Sequence, residues 1–315
     1  MRFLPQETNI NFIGMRFGAA ILSALILVGS FFYIIGKGPN FGIDFTGGTL
    51  IEVRVSEIPD LGALRTDLNE LGLGAISIQE FGAPDDLLIR LPEQQAGDDQ
   101  TPADVQEAAV QQVRSMLDGK FETVDYRRVE FVGPQVGQEL KVQGLYAILF
   151  SLAGILIYIW FRFEWPFGVA AIIALAHDAI ATIGLFALTQ MEFNLSTVAA
   201  ILMIAGYSIN DTVVVFDRIR ENMRKYKKKT MAEICNLSIN QTLSRTLMTS
   251  VTTMLALLAL WFFGGEVIRG FVNALIFGII IGTYSSVFVA APALMLVHRK
   301  RAQKQGKQAK EQATA

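Results

Sequence analysis

Six long apolar stretches divide this chain of 315 residues and limit what it can fold into. A helix needs roughly 20 apolar residues to cross about 30 Å of hydrocarbon. With 52% hydrophobic and only 18% charged residues, the chain is also unlike a soluble domain. The sequence therefore predicts a polytopic α-helical membrane protein with six transmembrane helices. The predicted spans are approximately 13–35, 140–161, 167–189, 196–216, 243–263 and 271–297.

The first stretch could also be interpreted as a signal peptide, because Arg2 and Arg16 precede it. It is longer than the apolar region of a signal peptide, and no small-residue cleavage site follows it. We therefore expect residues 1–37 to form a cytoplasmic N-terminus and a retained first span.

Basic residues near the span ends indicate the orientation. The loops 190–195 and 264–270 carry only Arg269, whereas the opposite segments are rich in Lys and Arg. This asymmetry predicts that both termini are cytoplasmic, with Cys235 on the same, reducing side. A lipid head-group site is the alternative interpretation of the basic loop after span four. The basic residues of that side include Arg162, Arg218, Arg220, Arg224, Lys225, Lys227, Lys228 and Lys229, and, in the tail 299–315, Arg299, Lys300, Arg301, Lys304, Lys307 and Lys310.

Residues 38–139 are charged, have few long apolar runs and are predicted to form a periplasmic domain between spans one and two. Alternating β-branched residues predict strands, and Thr101 followed by Pro102 predicts a capped helix start. The resulting order β-α-β-β-α-β is that of a ferredoxin-like α+β domain. The remaining 140–298 would form a five-span membrane domain. The predicted strands are 49–55, 75–81, 86–91 and 121–132, and the predicted helices are 59–71 and 101–117.

Several functional classes find no support in the sequence. The single cysteine, Cys235, excludes an internal disulfide framework, and His177 and His298 are too far apart to suggest a metal site. No catalytic triad, phosphate-binding glycine loop or paired acids stand out, and the basic runs lie beside spans rather than on a folded surface. We therefore expect neither an enzyme, a cofactor, a metal nor a nucleic-acid partner, and favour a binding or mechanical role.

Charged side chains inside spans are costly and are candidates for function. Asp178 lies near the middle of span three, Asp211 in span four and Arg245 near the start of span five. Because spans four and five are antiparallel, Asp211 and Arg245 reach a similar depth and could pair. Low dielectric favours a neutral carboxyl and a nearby guanidinium favours a charged one. Movement of arginine relative to aspartate could therefore control proton loading.

Polar neighbours extend this candidate site. Tyr207 and Ser208 share a helix face with Asp211 through i−4 and i−3 spacing. On span five, Arg245 is followed at i+4, i+7 and i+8 by a polar stripe that suits a bundle interior or a water-filled path. The stripe consists of Thr249, Thr252 and Thr253.

Structural explanations remain open for each of these groups. Asp211 and Arg245 could form a static ion pair that only fixes helix packing. Asp178 could make a packing hydrogen bond with Thr182 or a neighbouring helix, and His177 favours a structural hydrogen-bonding role. In span six, Gly278 and Gly282 form a G-x-x-x-G pattern, which permits close helix contact.

Several sequence motifs resemble those of the SecF family of protein translocase subunits, within the resistance-nodulation-division superfamily. The D-F-T-G-G motif after span one is formed by Asp44, Phe45, Thr46, Gly47 and Gly48. The run 206–221, GYSINDTVVVFDRIRE, resembles the family signature of the fourth span and adds Asn210 to the polar set. His177-Asp178 and Ser244-Arg245-Thr246 also fit. The likeness covers nearly the whole chain.

The resemblance implies a SecF-like subunit that acts with SecD in the bacterial inner membrane. Such a subunit uses the proton-motive force to promote export of a translocating preprotein through the SecYEG translocon, with YajC and YidC as further candidate partners. By motif, Asp211 and Arg245 correspond to the family's conserved pair, and Thr249 to a supporting residue. Asp178 is a further candidate for the proton pathway.

Two other functions remain open, a proton-driven exporter half for lipids or small molecules and a non-transporting scaffold of the translocon. Gly47 and Gly48 could contact substrate, or could simply let the chain turn from the span into the first strand.

Overall fold

The computed structural model describes residues 8–94 and 101–298, and they fall into two compact units. Within the described residues, the first unit takes in the chain up to Asn40, Ala147–Met191 and the chain from Ser196 onward. The second unit contains Phe41–Tyr146 and Glu192–Leu195. Arg2 and the predicted basic tail 299–315 lie outside the described residues.

Helices and strands are numbered here in chain order. The helices are α1 Arg16–Gly36, α2 Ile43–Thr46, α3 Leu61–Glu70, α4 Pro102–Lys120, α5 Pro134–Arg162, α6 Trp165–Thr189, α7 Leu195–Lys225, α8 Met231–Phe263 and α9 Arg269–Ser285. The strands are β1 Asn40–Phe41, β2 Gly48–Val55, β3 Ser77–Phe81, β4 Ala83–Leu91, β5 Val124–Val132 and β6 Glu192–Phe193. A π-helical turn, Ser286–Ala290, follows α9, and the apolar helical segment as a whole extends to His298.

Six helices in the described part of the chain are long and apolar enough to cross a membrane, which confirms the predicted number of spans. Two of these helices extend beyond the predicted spans four and five, 196–216 and 243–263. Helix α7 continues to Lys225 and α8 begins at Met231. Arg, Lys and Glu are good helix formers, so the basic segment predicted as a loop is helical on both sides of a short turn. A capping box between Thr230 and Glu233 starts α8.

Small residues bring helices of the first unit into close contact. A Cβ added to Gly278 of α9 would lie 2.2 Å from Ile204 Cγ1 of α7, and one added to Gly282 would lie 3.1 Å from Ser208 Cβ. The G-x-x-x-G pattern therefore does permit the close contact that the sequence predicted. At Gly184 of α6, an added Cβ would lie 2.1 Å from the Ser30 hydroxyl oxygen of α1.

The second unit contains a four-stranded antiparallel sheet in the order β3-β4-β2-β5. The element order β2-α3-β3-β4-α4-β5 is the predicted β-α-β-β-α-β. Apolar residues of the sheet and of α3 and α4 form one buried core that includes Ile51, Leu64, Leu87, Val113 and Leu117.

The helix starts in this unit follow from local capping. Thr101 caps α4 as predicted, accepting a hydrogen bond from the Asp104 backbone N–H at 3.2 Å. Helix α3 begins later than predicted, because the Asp60 carboxylate accepts from the backbone N–H groups of Gly62 and Ala63. Strand β4 begins at Ala83, three residues earlier than the predicted 86–91 strand.

Candidate functional site

Asp211 is buried in α7, with 2% of its surface exposed. Within the described residues, its Oδ2 atom has no hydrogen-bond partner. The charge of Arg245 and the hydroxyl of Thr249, both from α8, act electrostatically on this carboxyl. Thr246 of α8 is also 2% exposed, and its hydroxyl has no partner in the same part of the chain. Two buried polar groups are therefore left unpaired near the predicted site.

The side-chain contacts between α7 and α8 place these groups at one level. Asn222 donates to the Ser238 hydroxyl at 2.9 Å, and the Tyr207 hydroxyl approaches that of Ser250 at 3.5 Å. Because the helices are antiparallel and these two contacts lie on either side, Asp211 is opposite the turn that contains Thr246.

Asp211 and Arg245 do not form the direct ion pair that the sequence suggested. In residues 8–94 and 101–298, no carboxylate oxygen of Asp211 lies within 4.0 Å of an Arg245 nitrogen. Arg245 is exposed and lines a cavity of about 870 Å³ between the ends of α7 and α8. The static pair that would only fix helix packing is therefore not formed in this structure.

The walls of this cavity are rich in cations. Two of them are paired, because Arg162 contacts Asp217 at 2.7 Å and Arg218 contacts Glu221 at 2.8 Å. Cations outnumber carboxylates, so water and anions are favoured next to Arg245. The lining consists of Arg162, Val214, Asp217, Arg218, Arg220, Glu221, Arg224, Lys225, Gln241, Thr242 and Arg245.

The predicted polar stripe of α8 is only partly buried. Thr252, like Arg245, is exposed, and Thr249 and Thr253 are half-buried. The hydroxyls of all three threonines donate to backbone carbonyls within α8, at 2.8–3.2 Å. From Thr242 to the end of the helix, the buried residues are different ones, namely Thr242, Thr246, Ser250 and Leu257.

Asp178 has a different environment from Asp211. It is 1% exposed, and its Oδ2 accepts hydrogen bonds from the Ser208 hydroxyl at 2.6 Å and the Ser285 hydroxyl at 2.7 Å. Its Oδ1 lies 3.0 Å from His177 Nδ1. The network connects α6, α7 and α9 through one carboxyl group, and His177 has the hydrogen-bonding role that the sequence favoured.

Two polar residues near these aspartates make contacts other than those considered from the sequence, and a third is exposed. Ser208, predicted beside Asp211, directs its hydroxyl to Asp178 instead. Thr182 donates to the backbone carbonyl of Asp178 at 2.8 Å and not to its carboxyl group. Asn210 is exposed.

The D-F-T-G-G motif lies in the second unit, around α2. Asp44 Oδ2 accepts a hydrogen bond from the backbone N–H of Leu195 at 2.9 Å. Phe45 is buried, and the Thr46 hydroxyl donates to the Gly42 carbonyl at 3.1 Å. Gly47 and Gly48 have φ values of 71° and 107°, which favour glycine, and connect α2 to β2.

Comparison with protein-family models finds matches to the part of the chain that contains Asp211 and Arg245 and to the D-F-T-G-G motif. The family described as "Protein export membrane protein SecD/SecF, C-terminal" matches residues 112–300, and "SecD/SecF GG Motif" matches residues 32–57. A curated relative from Rickettsia bellii (strain OSU 85-389), named "Protein translocase subunit SecF", is 48% identical over 305 residues. That alignment covers 96% of this chain and 98% of the relative.

The chain belongs to the SecF family of protein translocase subunits. Another SecF relative, from Rickettsia prowazekii (strain Madrid E), is 45% identical, covering 95% of both chains. Among solved structures, SecDF from a Thermus species, described as a translocon-associated membrane protein, matches with a TM-score of 0.84 and 37% identity. SecDF in its super-membrane-facing form matches with a TM-score of 0.64 and 37% identity. These alignments cover 95% and 98% of this chain, which spans only 40% of each SecDF chain.

Sequence reasoning on this SecF family chain missed two buried polar residues as site members. Thr246 appeared only as part of a motif, and Ser285 not at all. Each is a small polar residue on the buried face of a span, which was the available signal. The carboxyl group near which such a residue lies depends on helix packing, and no local pattern reports it.

Proposed function

We propose that this chain is the SecF subunit of the Sec protein-export machinery, which with SecD uses the proton-motive force to promote translocation of secreted proteins across the bacterial inner membrane. The observation that carries the proposal is the buried Asp211 carboxyl, unpaired at Oδ2 and opposite α8, which carries Arg245. Arginine keeps its charge at all relevant pH values. Asp211 is therefore the member of the pair that can gain and lose a proton.

The coupling follows from electrostatics. A charged, unpaired carboxylate is costly in a buried site, whereas its neutral form is tolerated. When the proton leaves, the new negative charge attracts the Arg245 guanidinium, which in this structure faces the cavity. Bringing the guanidinium to Asp211 requires α8 to move or the side chain to swing. Proton release is thereby coupled to a change of shape, and reprotonation reverses it.

Asp178 has a supporting role in this proposal. Its two oxygens are already engaged by Ser208, Ser285 and His177 on three sides. A carboxyl group held in this way ties helices together, and Ser208 is only three residues before Asp211. We assign Asp178 the role of fixing α7 against α6 and α9 while α8 responds to the proton.

SecD is the proposed partner because the chain matches only 40% of each SecDF chain. The exposed Arg245 and Thr252 of α8 also need water or another protein beside them, since an arginine facing hydrocarbon is costly. SecYEG, the translocating preprotein, YajC and YidC are further proposed partners. The basic residues of the cavity favour a cytoplasmic location for it, with both termini on the same side.

The test is proton-dependent protein export in inverted membrane vesicles that contain the full complex. We expect Asp211→Asn and Arg245→Ala to reduce export to the level measured without a proton gradient. Asp67→Asn makes the same carboxyl-to-amide change on a half-exposed side chain outside the spans and is expected to leave export unchanged. Normal export by Asp211→Asn would refute the proposal. If both variants export normally while deletion of the chain abolishes export, the chain is a scaffold.

A further inference from the structure

We propose that Asp44 of the D-F-T-G-G motif is a positioning residue that holds the first turn of α7, the helix that carries Asp211. The role of the motif is then to connect the second unit to the helix of the proton site, and not to contact substrate. The effect on Asp211 rests on the proposed function. The hydrogen bond from the start of α7 to Asp44 can be tested separately.

The contact itself is a helix cap supplied from a distant part of the chain. Leu195 is the first residue of α7, and its backbone N–H donates to Asp44 Oδ2 at 2.9 Å across 151 positions of sequence. The first N–H groups of a helix have no partner within the helix. A carboxylate at this position satisfies one of them and also interacts favourably with the helix dipole.

The segment that precedes α7 is held against the motif at further points. The Gly42 backbone N–H donates to the Phe193 carbonyl at 2.9 Å. The ring of Phe193 packs against Phe41 and Phe45, with centroid distances of 5.7 and 6.0 Å. These contacts fix Phe193, the residue before Asn194, while Asp44 fixes Leu195, the residue after it.

Arg90 and Glu192 make a further polar contact between the sheet and the segment before α7. Arg90 of β4 contacts Glu192 at 3.2 Å, and the two side chains are only 14% and 19% exposed. Burial raises the pKa of the Glu192 carboxyl, and the charge of Arg90 partly offsets this rise. The sheet of the second unit is thus bonded to the same short segment that Asp44 caps.

The glycines of the motif allow this geometry. Gly47 and Gly48 adopt positive φ directly after α2. A Cβ added to Gly48 would lie 2.4 Å from the Leu91 carbonyl oxygen. One added to Gly137 of α5 would lie 3.1 Å from the Gly47 backbone nitrogen. The motif is therefore enclosed by backbone, and Asp44 is the side chain of the motif that bonds to the start of α7.

The consequence concerns the position of α7 along its own axis. Asp211 lies sixteen residues after Leu195, or about 24 Å at 1.5 Å per residue. A helix of this length transmits an axial displacement of its first turn to its interior. Movement of the segment Glu192–Leu195 with the second unit would therefore move Asp211 relative to α8, and a shift of α7 would pull on that segment.

The first readout is backbone amide exchange of a peptide covering 192–198, measured on the full chain in complex with its partner subunits. We expect Asp44→Ala to increase exchange at the start of α7 by roughly 5- to 30-fold, the equivalent of a lost helix cap of about 1–2 kcal/mol. Asp44→Asn retains an acceptor oxygen and should restore most of the protection. Asp60→Ala removes the equivalent cap from α3 and should leave this peptide unchanged.

Exchange of a second peptide, covering β4, shows whether the second unit of each variant is folded. Unchanged exchange of 192–198 in a folded Asp44→Ala variant, or an equal increase in Asp60→Ala, would overturn the proposed cap. The second readout is proton-dependent export, which should fall in Asp44→Ala and recover in Asp44→Asn. Normal export in Asp44→Ala despite faster exchange would overturn the coupling role. Normal export by Asp211→Asn would instead refute the proposed function and leave the exchange result standing.

Discussion

Removing the serine donors of Asp178 tests whether this carboxyl group holds three helices together. Ser208 and Ser285 donate to the same oxygen, Oδ2, at 2.6 and 2.7 Å. Hydrogen bonds between membrane helices contribute about 0.6 kcal/mol on average and up to about 1.7. A fully buried acceptor belongs at the upper end, because a hydrogen bond is electrostatically stronger in a low dielectric. We therefore expect Ser208→Ala and Ser285→Ala each to lower the free energy of unfolding by about 1.5 kcal/mol.

The double variant should cost more than the sum of the two single variants. Either serine alone still satisfies Oδ2, whereas loss of both leaves a buried oxygen unpaired, which adds roughly 1–3 kcal/mol. The coupling energy of the double-mutant cycle therefore measures the extra cost of leaving the shared acceptor Oδ2 without a donor. Unfolding in mixed micelles, followed by tryptophan fluorescence, measures all the variants.

Ser286→Ala is the matched control for this cycle. Ser286 is as buried as Ser285, but its hydroxyl donates to the Thr283 backbone carbonyl of its own helix at 3.0 Å. Its loss should cost less than about 1 kcal/mol. Two results would refute the proposal that Asp178 holds α6, α7 and α9 together. One is a loss of stability in each single variant no larger than that of Ser286→Ala. The other is a strictly additive loss of stability in the double variant.

Two further predictions concern packing and pH. Gly278→Ala should destabilise the chain by about 1–3 kcal/mol, because its Cβ would overlap the stiff Ile204 side chain, whereas an added Cβ at Gly270 meets nothing within 4 Å. Thermal unfolding of both alanine variants checks this, and equal midpoints would contradict it. Burial raises the pKa of Glu192 in the folded state above the ordinary glutamate pKa of about 4.3. The contribution of Glu192 to stability is therefore greatest below that pH and is lost as pH rises through the folded-state pKa. Amide exchange of residues 192–198 should therefore increase with pH, after correction for intrinsic rates, more than in Glu192→Gln; identical profiles would contradict this prediction.

The sequence alone determined those features that depend on local chemistry. Six spans follow from the length and apolarity of six stretches, because a helix of about 20 apolar residues crosses the hydrocarbon and satisfies its own backbone groups. The order β-α-β-β-α-β and the cap at Thr101 also follow from alternation and from neighbouring residues. The family resemblance is likewise carried by local sequence motifs, namely those around Asp44, Asp211 and Arg245.

Tertiary structure decided which groups meet. Asp178 receives its bonds from serines 30 and 107 positions away, and Asp44 caps a helix 151 positions away. Asp211 and Arg245, which helical depth suggested as a pair, remain apart because the rotation of α8 exposes Arg245 to a cavity. Helix periodicity gives the depth of a side chain and its face, but the rotation and spacing of packed helices set its partner. Those depend on contacts between residues distant in sequence, such as Gly278 and Ile204, which no local pattern contains.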